Sequence, residues 1–147
     1  MQKLLIILFF LLLIPFHVLS EENNYFVSLK KNKVYVRYGP GKNYPIKYIY
    51  KKKFLPIKVI DKKDNFRRII DHKKNSGWIH RIMLTKLKSL ITLEEKIVFK
   101  KNTKFSKPVV KLEKGRLVII KKCKLNWCKI QTENYSGWIE TKNVWGI

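Results

Sequence analysis

Alanine, the residue most at home in helices, is absent from this 147-residue chain. Valine, isoleucine and aromatic residues are plentiful instead, and that balance favours strands over helices. Histidine is almost as scarce. There are three, and His17 falls within the first 20 residues. His72 and His80 are separated by a turn and one strand, metal-ligand spacing is absent, and a Cys–His nucleophile pair is not available if the two cysteines are bridged. No glycine-rich phosphate loop precedes a helix. Asp61, Asp64 and Asp71 sit among lysines in turn-like stretches and read as solvated turn formers. These absences exclude the usual enzyme constellations, and no cofactor or metal is expected.

Long apolar runs are missing too, with one exception. Lys3 precedes Leu4–Phe16, a stretch without charge. It is short for a membrane span of about 20 residues, and Pro15 interrupts it. Val18 and Ser20 occupy the −3 and −1 positions of a cleavage site. Residues 1–20 therefore read as a secretory signal, with a retained N-terminal anchor as the alternative. No later segment is apolar enough to span a bilayer. The expected location is exported, in a periplasm or cell envelope.

Acidic residues number 10 against 33 basic ones. Without Lys3 the remaining chain carries a formal charge of +22. Such a charge attracts polyanions and anionic surfaces. The lysines are nonetheless spread along the whole chain with Asn and Ile, as an AT-rich coding bias would also produce. Nucleic acid ranks low as a partner, because an exported protein rarely meets it.

What the sequence does have is a repeat. Asn65-Phe66-Arg67-Arg68-Ile69 followed by Ser76-Gly77-Trp78-Ile79 matches Asn126-Trp127-Cys128-Lys129-Ile130 followed by Ser136-Gly137-Trp138-Ile139. Upstream, Val34–Arg37 is aligned with Ile97–Lys100, Pro45-Ile46 with Pro108-Val109, and Leu55–Ile60 with Leu117–Ile120. Each repeat contains short strands: 66–69 runs through a polar turn at 71–75 into 76–80, and 127–131 through 132–134 into 136–140. Several close strands without helical period argue a small barrel. The expected organisation is a signal at 1–20, one barrel at 21–85, a linker at 86–92 and a second barrel at 93–147. The linker carries no Gly or Pro run, so the barrels are expected to pack together.

Cys123 and Cys128 bracket a four-residue turn. In an oxidising compartment they are expected to form a disulfide across a hairpin. A redox-active pair is the competing reading, although that usually takes a tighter Cys-x-x-Cys at a helix start.

Val34-Tyr35-Val36-Arg37-Tyr38-Gly39-Pro40-Gly41-Lys42-Asn43-Tyr44-Pro45-Ile46 resembles the N-V-R-x-G-P-G-x-x-Y-P-V opening of bacterial SH3-like domains. Asp64–Ile69 and Gly77-Trp78-Ile79-His80 resemble that family's D-x-W-x-x-I and G-W-V-H strands. Repeat 2 keeps Asn126–Ile130, Gly137-Trp138-Ile139 and Val144-Trp145-Gly146, and its two-cysteine hairpin is similar to that of exported tandem members. The resemblance implies an all-β fold of two tandem SH3-like barrels. It implies a non-catalytic envelope adaptor that binds peptidoglycan, another wall polymer or a partner protein or peptide. Electrostatic binding of anionic polymers or lipid, or a purely structural adaptor role, is the alternative.

Two departures matter. Tyr35 stands where the family often has Asn, and Lys100–Phe105 in repeat 2 lacks the Gly-Pro-Gly turn. A ligand groove is therefore expected in repeat 1. Its candidate residues are Tyr38, Gly39, Pro40, Gly41, Tyr44, Tyr48 and Trp78, a rigid turn ringed by flat apolar faces with polar tips. The repeat also pairs Trp78 with Trp138, and as a pair these two read first as barrel core.

Overall fold

The structure is a computed structural model that describes residues 24–147. The signal assigned to 1–20 lies outside the described residues.

Both halves are antiparallel β. The first comprises β1 (Tyr25–Leu29), β2 (Val34–Arg37), β3 (Ile46–Tyr50), β4 (Pro56–Lys63), β5 (Phe66–Ile70), β6 (Ser76–His80) and β7 (Leu84–Thr85), with a 3₁₀ turn at Arg81–Met83. The second comprises β8 (Ser89–Thr92), β9 (Lys96–Phe99), β10 (Pro108–Leu112), β11 (Leu117–Lys124), β12 (Trp127–Gln131), β13 (Ser136–Glu140) and β14 (Val144–Trp145). The strand orders, β3-β2-β6-β5-β4-β1-β7 and β10-β9-β13-β12-β11-β8-β14, are the same order twice. β4 and β11 each carry a register irregularity at the same place, between Val59 and Asp61 and between Ile120 and Lys122. An extra residue there bends the long strand. The fold is all-β, two tandem SH3-like domains.

Alternation decides the faces. Val34 and Val36 of β2 are fully buried, while Tyr35 between them is exposed. In the second sheet the alternating pair is Lys96 and Val98, with Ile97 exposed. β2 therefore corresponds to Lys96–Phe99, one residue earlier than the alignment with Ile97–Lys100. A one-residue slip exchanges the two faces of a strand, and Ile97 would have been placed in the core. Lys96 occupies the site of Val34 at 7% exposure. Its ammonium is accommodated by Glu94 Oε1 at 2.6 Å and by the carbonyl of Lys142.

The expected linker is also corrected. From Ser89 onward it is strand β8, paired with β11 and β14 and buried throughout. Leu90 enters the second core with Val98, Val118, Ile130 and Ile139. Ile91 enters the first with Leu29, Val36, Ile57, Ile69 and Ile79. A strand covered on both faces shows no polar alternation, so the sequence offered no strand signature there.

Polar contacts lock the two domains together. Ser28 and Ser89 hydroxyls meet at 2.7 Å, and Ser89 Oγ donates to the Phe54 carbonyl at 2.6 Å. Trp145 Nε1 donates to the Pro56 carbonyl at 3.1 Å, and its ring stands edge-on to Phe26.

Candidate functional site

The loop between β2 and β3 holds most of the candidate residues. Tyr38 N donates to the Pro45 carbonyl, Gly41 N to the Gly39 carbonyl and Tyr44 N to the Gly41 carbonyl. Arg37 Nη1 reaches the Tyr44 carbonyl at 2.8 Å and closes the loop from the strand side. Pro40 fixes one backbone angle between two glycines, so the loop has little freedom left. Its rings are presented outward. Tyr38 is 63% exposed, with Lys47 Nζ 5.6 Å from its ring centre. Tyr44 lies over buried Gly39, where a Cβ would come within 2.3 Å of the ring. The glycine is what allows the ring that close. Lys47 itself is held by the Ser76 carbonyl at 2.9 Å.

Trp78 does not take the core position that its pairing with Trp138 suggested. In Ser-Gly-Trp-Ile the inward residues are Gly77 and Ile79, and Trp78 lies partly exposed on the outer face. A Cβ at Gly77 would approach Val36 Cγ1 to 2.4 Å, so no larger residue fits inward there. Trp138 follows the same rule beside Gly137. On the outer face Trp78 is flanked across the strands by Arg37 and Arg68. Arg37 therefore links the tryptophan to the loop.

Tyr48 goes elsewhere. It packs against the first core, and its hydroxyl meets that of Tyr50 at 3.3 Å. Tyr50 donates in turn to Asp71 Oδ2 at 3.0 Å. Asp71 forms a turn as expected but is not solvated: it is 3% exposed and also accepts from the backbone of Lys73 and Asn75 and from Asn75 Nδ2. Burial first, then the neighbouring hydroxyl and carboxylate, push the Tyr50 phenol far above its ordinary range. It stays a donor. Burial likewise lowers the pKa of His72.

In the second domain the sequence reading passed over an aromatic group. Phe99 and Trp127 meet edge to face at 5.9 Å, and Lys122 Nζ stands 5.7 Å from the ring of Trp138. Phe105, in the loop that lacks Gly-Pro-Gly, is 99% exposed. Strict alternation through Ser-Gly-Trp-Ile was the available signal for the outward tryptophans. Cys123 and Cys128 face each other across β11 and β12 and form the disulfide.

Two concavities, one between the domains and one on the first domain beside Lys86 and Lys88, adjoin and share Tyr25, Phe26, Val27 and Lys88. One, of about 560 Å³, extends to Leu125 and Ile147, and the other, of about 660 Å³, to Arg67, Arg81 and Ile82. A third, of about 560 Å³, lies between Lys52 and the Thr132–Tyr135 turn. Among the described residues no group of His, Cys, Asp or Glu is arranged to hold a metal ion, and no helix is long and apolar enough to cross a membrane.

A comparison with protein families matches the one described as bacterial SH3 domain at residues 30–86 and again at 95–146. No curated protein matches the chain. Among solved structures, NlpC2 from Trichomonas vaginalis is similar at 14% identity and TM-score 0.39, over 85% of this chain and 49% of that one. NlpC1 from the same organism is similar at 13% identity and TM-score 0.39, over 87% and 48%. The chain thus spans about half the length of these structures.

Proposed function

The chain belongs to the bacterial SH3 domain family, and on that premise we propose that it is an exported, non-catalytic binding module of the cell wall. Its ligand is peptidoglycan or an extended partner peptide, taken up at the β2–β3 loop of the first domain. The observation that carries this reading is the loop itself: Tyr38 and Tyr44 are held out on a backbone braced by Arg37 and by the Gly39 contact. Rigid, exposed aromatic faces lose little entropy on binding and suit sugars or extended peptides. Trp78 extends the surface, and Arg37 and Lys47 add cationic partners for carboxylates. Tyr48 is outside this surface, because the Tyr50–Asp71 network engages it.

The test is retention on purified sacculi across a salt series. Retention is expected to persist at high salt and to fall with Tyr38→Ala plus Tyr44→Ala while the melting temperature holds. Salt-sensitive retention indifferent to those substitutions would mean plain charge attraction.

A further inference from the structure

We propose that the face formed by the two adjoining clefts around Tyr25 docks on an anionic phospholipid surface. Leu125 and Ile82 enter the bilayer interface there, and Arg67, Arg81, Lys86 and Lys88 meet the lipid phosphates. This goes beyond wall binding and uses a different part of the molecule.

The first observation is Leu125. It occupies the tip of the β11–β12 hairpin at φ 52°, and its side chain is 89% exposed. The corresponding tip between β4 and β5 carries Asp64 at φ 49°. Aspartate tolerates left-handed backbone, whereas a leucine is disfavoured in it. Leu125 thus combines an unfavourable backbone with an apolar side chain left in water. Directly below it, Cys123–Cys128 staples the two strands together and fixes the tip. Ile82, 60% exposed on the 3₁₀ turn, is a second protruding aliphatic beside the same clefts.

The second observation is charge. Arg67, Arg81, Lys86 and Lys88 line the clefts, and among the described residues no carboxylate side chain does. The same four cations are in no ion pair with a described residue. Glu21 and Glu22 lie outside the described residues. The third observation is where the chain enters. Tyr25, shared by both clefts, follows closely on the N-terminal stretch that contains the uncharged run Leu4–Phe16.

Arg67 Nη1 donates to the Asp64 and Phe66 carbonyls and Arg81 Nε to Asn65 Oδ1, which leaves their other N–H groups for phosphate, while Lys86 and Lys88 have flexible stems. Aliphatic tips on separate loops, ringed by such cations, match a fluid anionic interface. A protein partner would have to supply a pocket for each tip.

The experiment is co-sedimentation of the protein, as recovered from the producing cell, with two kinds of vesicle. One is phosphatidylcholine alone and the other contains roughly a third phosphatidylglycerol. The preference between them reads charge on the folded face, because the run Leu4–Phe16 is uncharged and, where it is retained, partitions into both. A clear preference for the anionic vesicles is expected. Leu125→Asn is expected to weaken binding about tenfold. Its melting temperature should hold or rise, because Asn accepts the backbone. Lys86→Gln with Lys88→Gln is expected to lower the preference about fivefold per cation. Lys100→Gln with Lys101→Gln, equal in charge and outside the clefts, should leave most of it.

The proposal is overturned if there is no preference for anionic vesicles, if Leu125→Asn binds like the parent, or if both lysine pairs lose equally. It is overturned in favour of a protein partner if the parent binds polyglutamate but not vesicles. Sacculus retention by the same variants is expected to be unchanged, so this reading and the wall reading fail separately.

Discussion

Gly39→Ala isolates the position of one ring. In the structure a Cβ at residue 39 would sit 2.3 Å from Cδ1 and Cε1 of Tyr44. Carbon–carbon contact is comfortable at about 3.5 Å, so the ring must move by roughly 1.2 Å. The ring can move, because Tyr44 is exposed and its backbone is fixed independently by Arg37 and by the Gly41 carbonyl. Stability should therefore change little. The lost ring contact opposes the gain of about 0.4–1 kcal/mol from a less flexible unfolded chain. Affinity should change more. Losing one rigid aromatic contact weakens binding by about 1.5–2 kcal/mol, roughly ten- to thirtyfold. Gly41→Ala is the graded companion, since its Cβ would meet Asn43 Oδ1 at 2.5 Å but the Tyr44 ring only at 3.2 Å. The assay is sacculus retention beside thermal melting. The expected order of retention is parent, then Gly41→Ala, then Gly39→Ala, with Tyr44→Ala similar to Gly39→Ala. Parent-like retention by Gly39→Ala, with the ring shown by NMR to have moved, would refute the idea that Tyr44 is placed for ligand.

Asp71→Ala removes one buried acceptor from four donors. It should cost about 3–5 kcal/mol in urea unfolding, and a loss under about 1 kcal/mol would mean water replaces the carboxylate. Reducing Cys123–Cys128 closes no large loop in reverse, so it should cost about 2 kcal/mol at most and leave β11 paired with β12 in hydrogen exchange. Glu94 has its pKa lowered from the ordinary 4.5, first by the hydrogen bond from Lys96 and then by that from Asn143. Its contribution is present above the unfolded-state value and is lost as pH falls through the lower folded value. Lys96→Met should flatten this acid limb of the stability curve, and an unchanged limb would assign it to other carboxylates.

Much of the fold was written in local pattern. The repeated Ser-Gly-Trp-Ile and the two Asn-aromatic strands marked matching hairpins, because turn chemistry and period-two alternation act over a few residues. Cys123 and Cys128 were legible as a bridge for the same reason: only a short turn separates them. The Gly-Pro-Gly loop with Tyr38 and Tyr44 was legible as a rigid display of rings. The register of β9 was not, because Lys96 in a valine's place hides the buried phase of the strand. Nor was β8, whose two faces serve two cores and so carry no alternation.

Composition and local spacing alone therefore determined that this is a basic β protein with two similar halves, and where one loop is stiff. Only the tertiary structure decided which way each side chain points and what lies between the halves. It turned both tryptophans outward, because Val36 and Val98 leave room only for glycine beneath the crossing strand. It drew Tyr48 into the Asp71 network and gathered cations from three separate segments around Tyr25. Those arrangements depend on residues far apart in the chain meeting across a sheet or a domain boundary, and no local pattern encodes such a meeting.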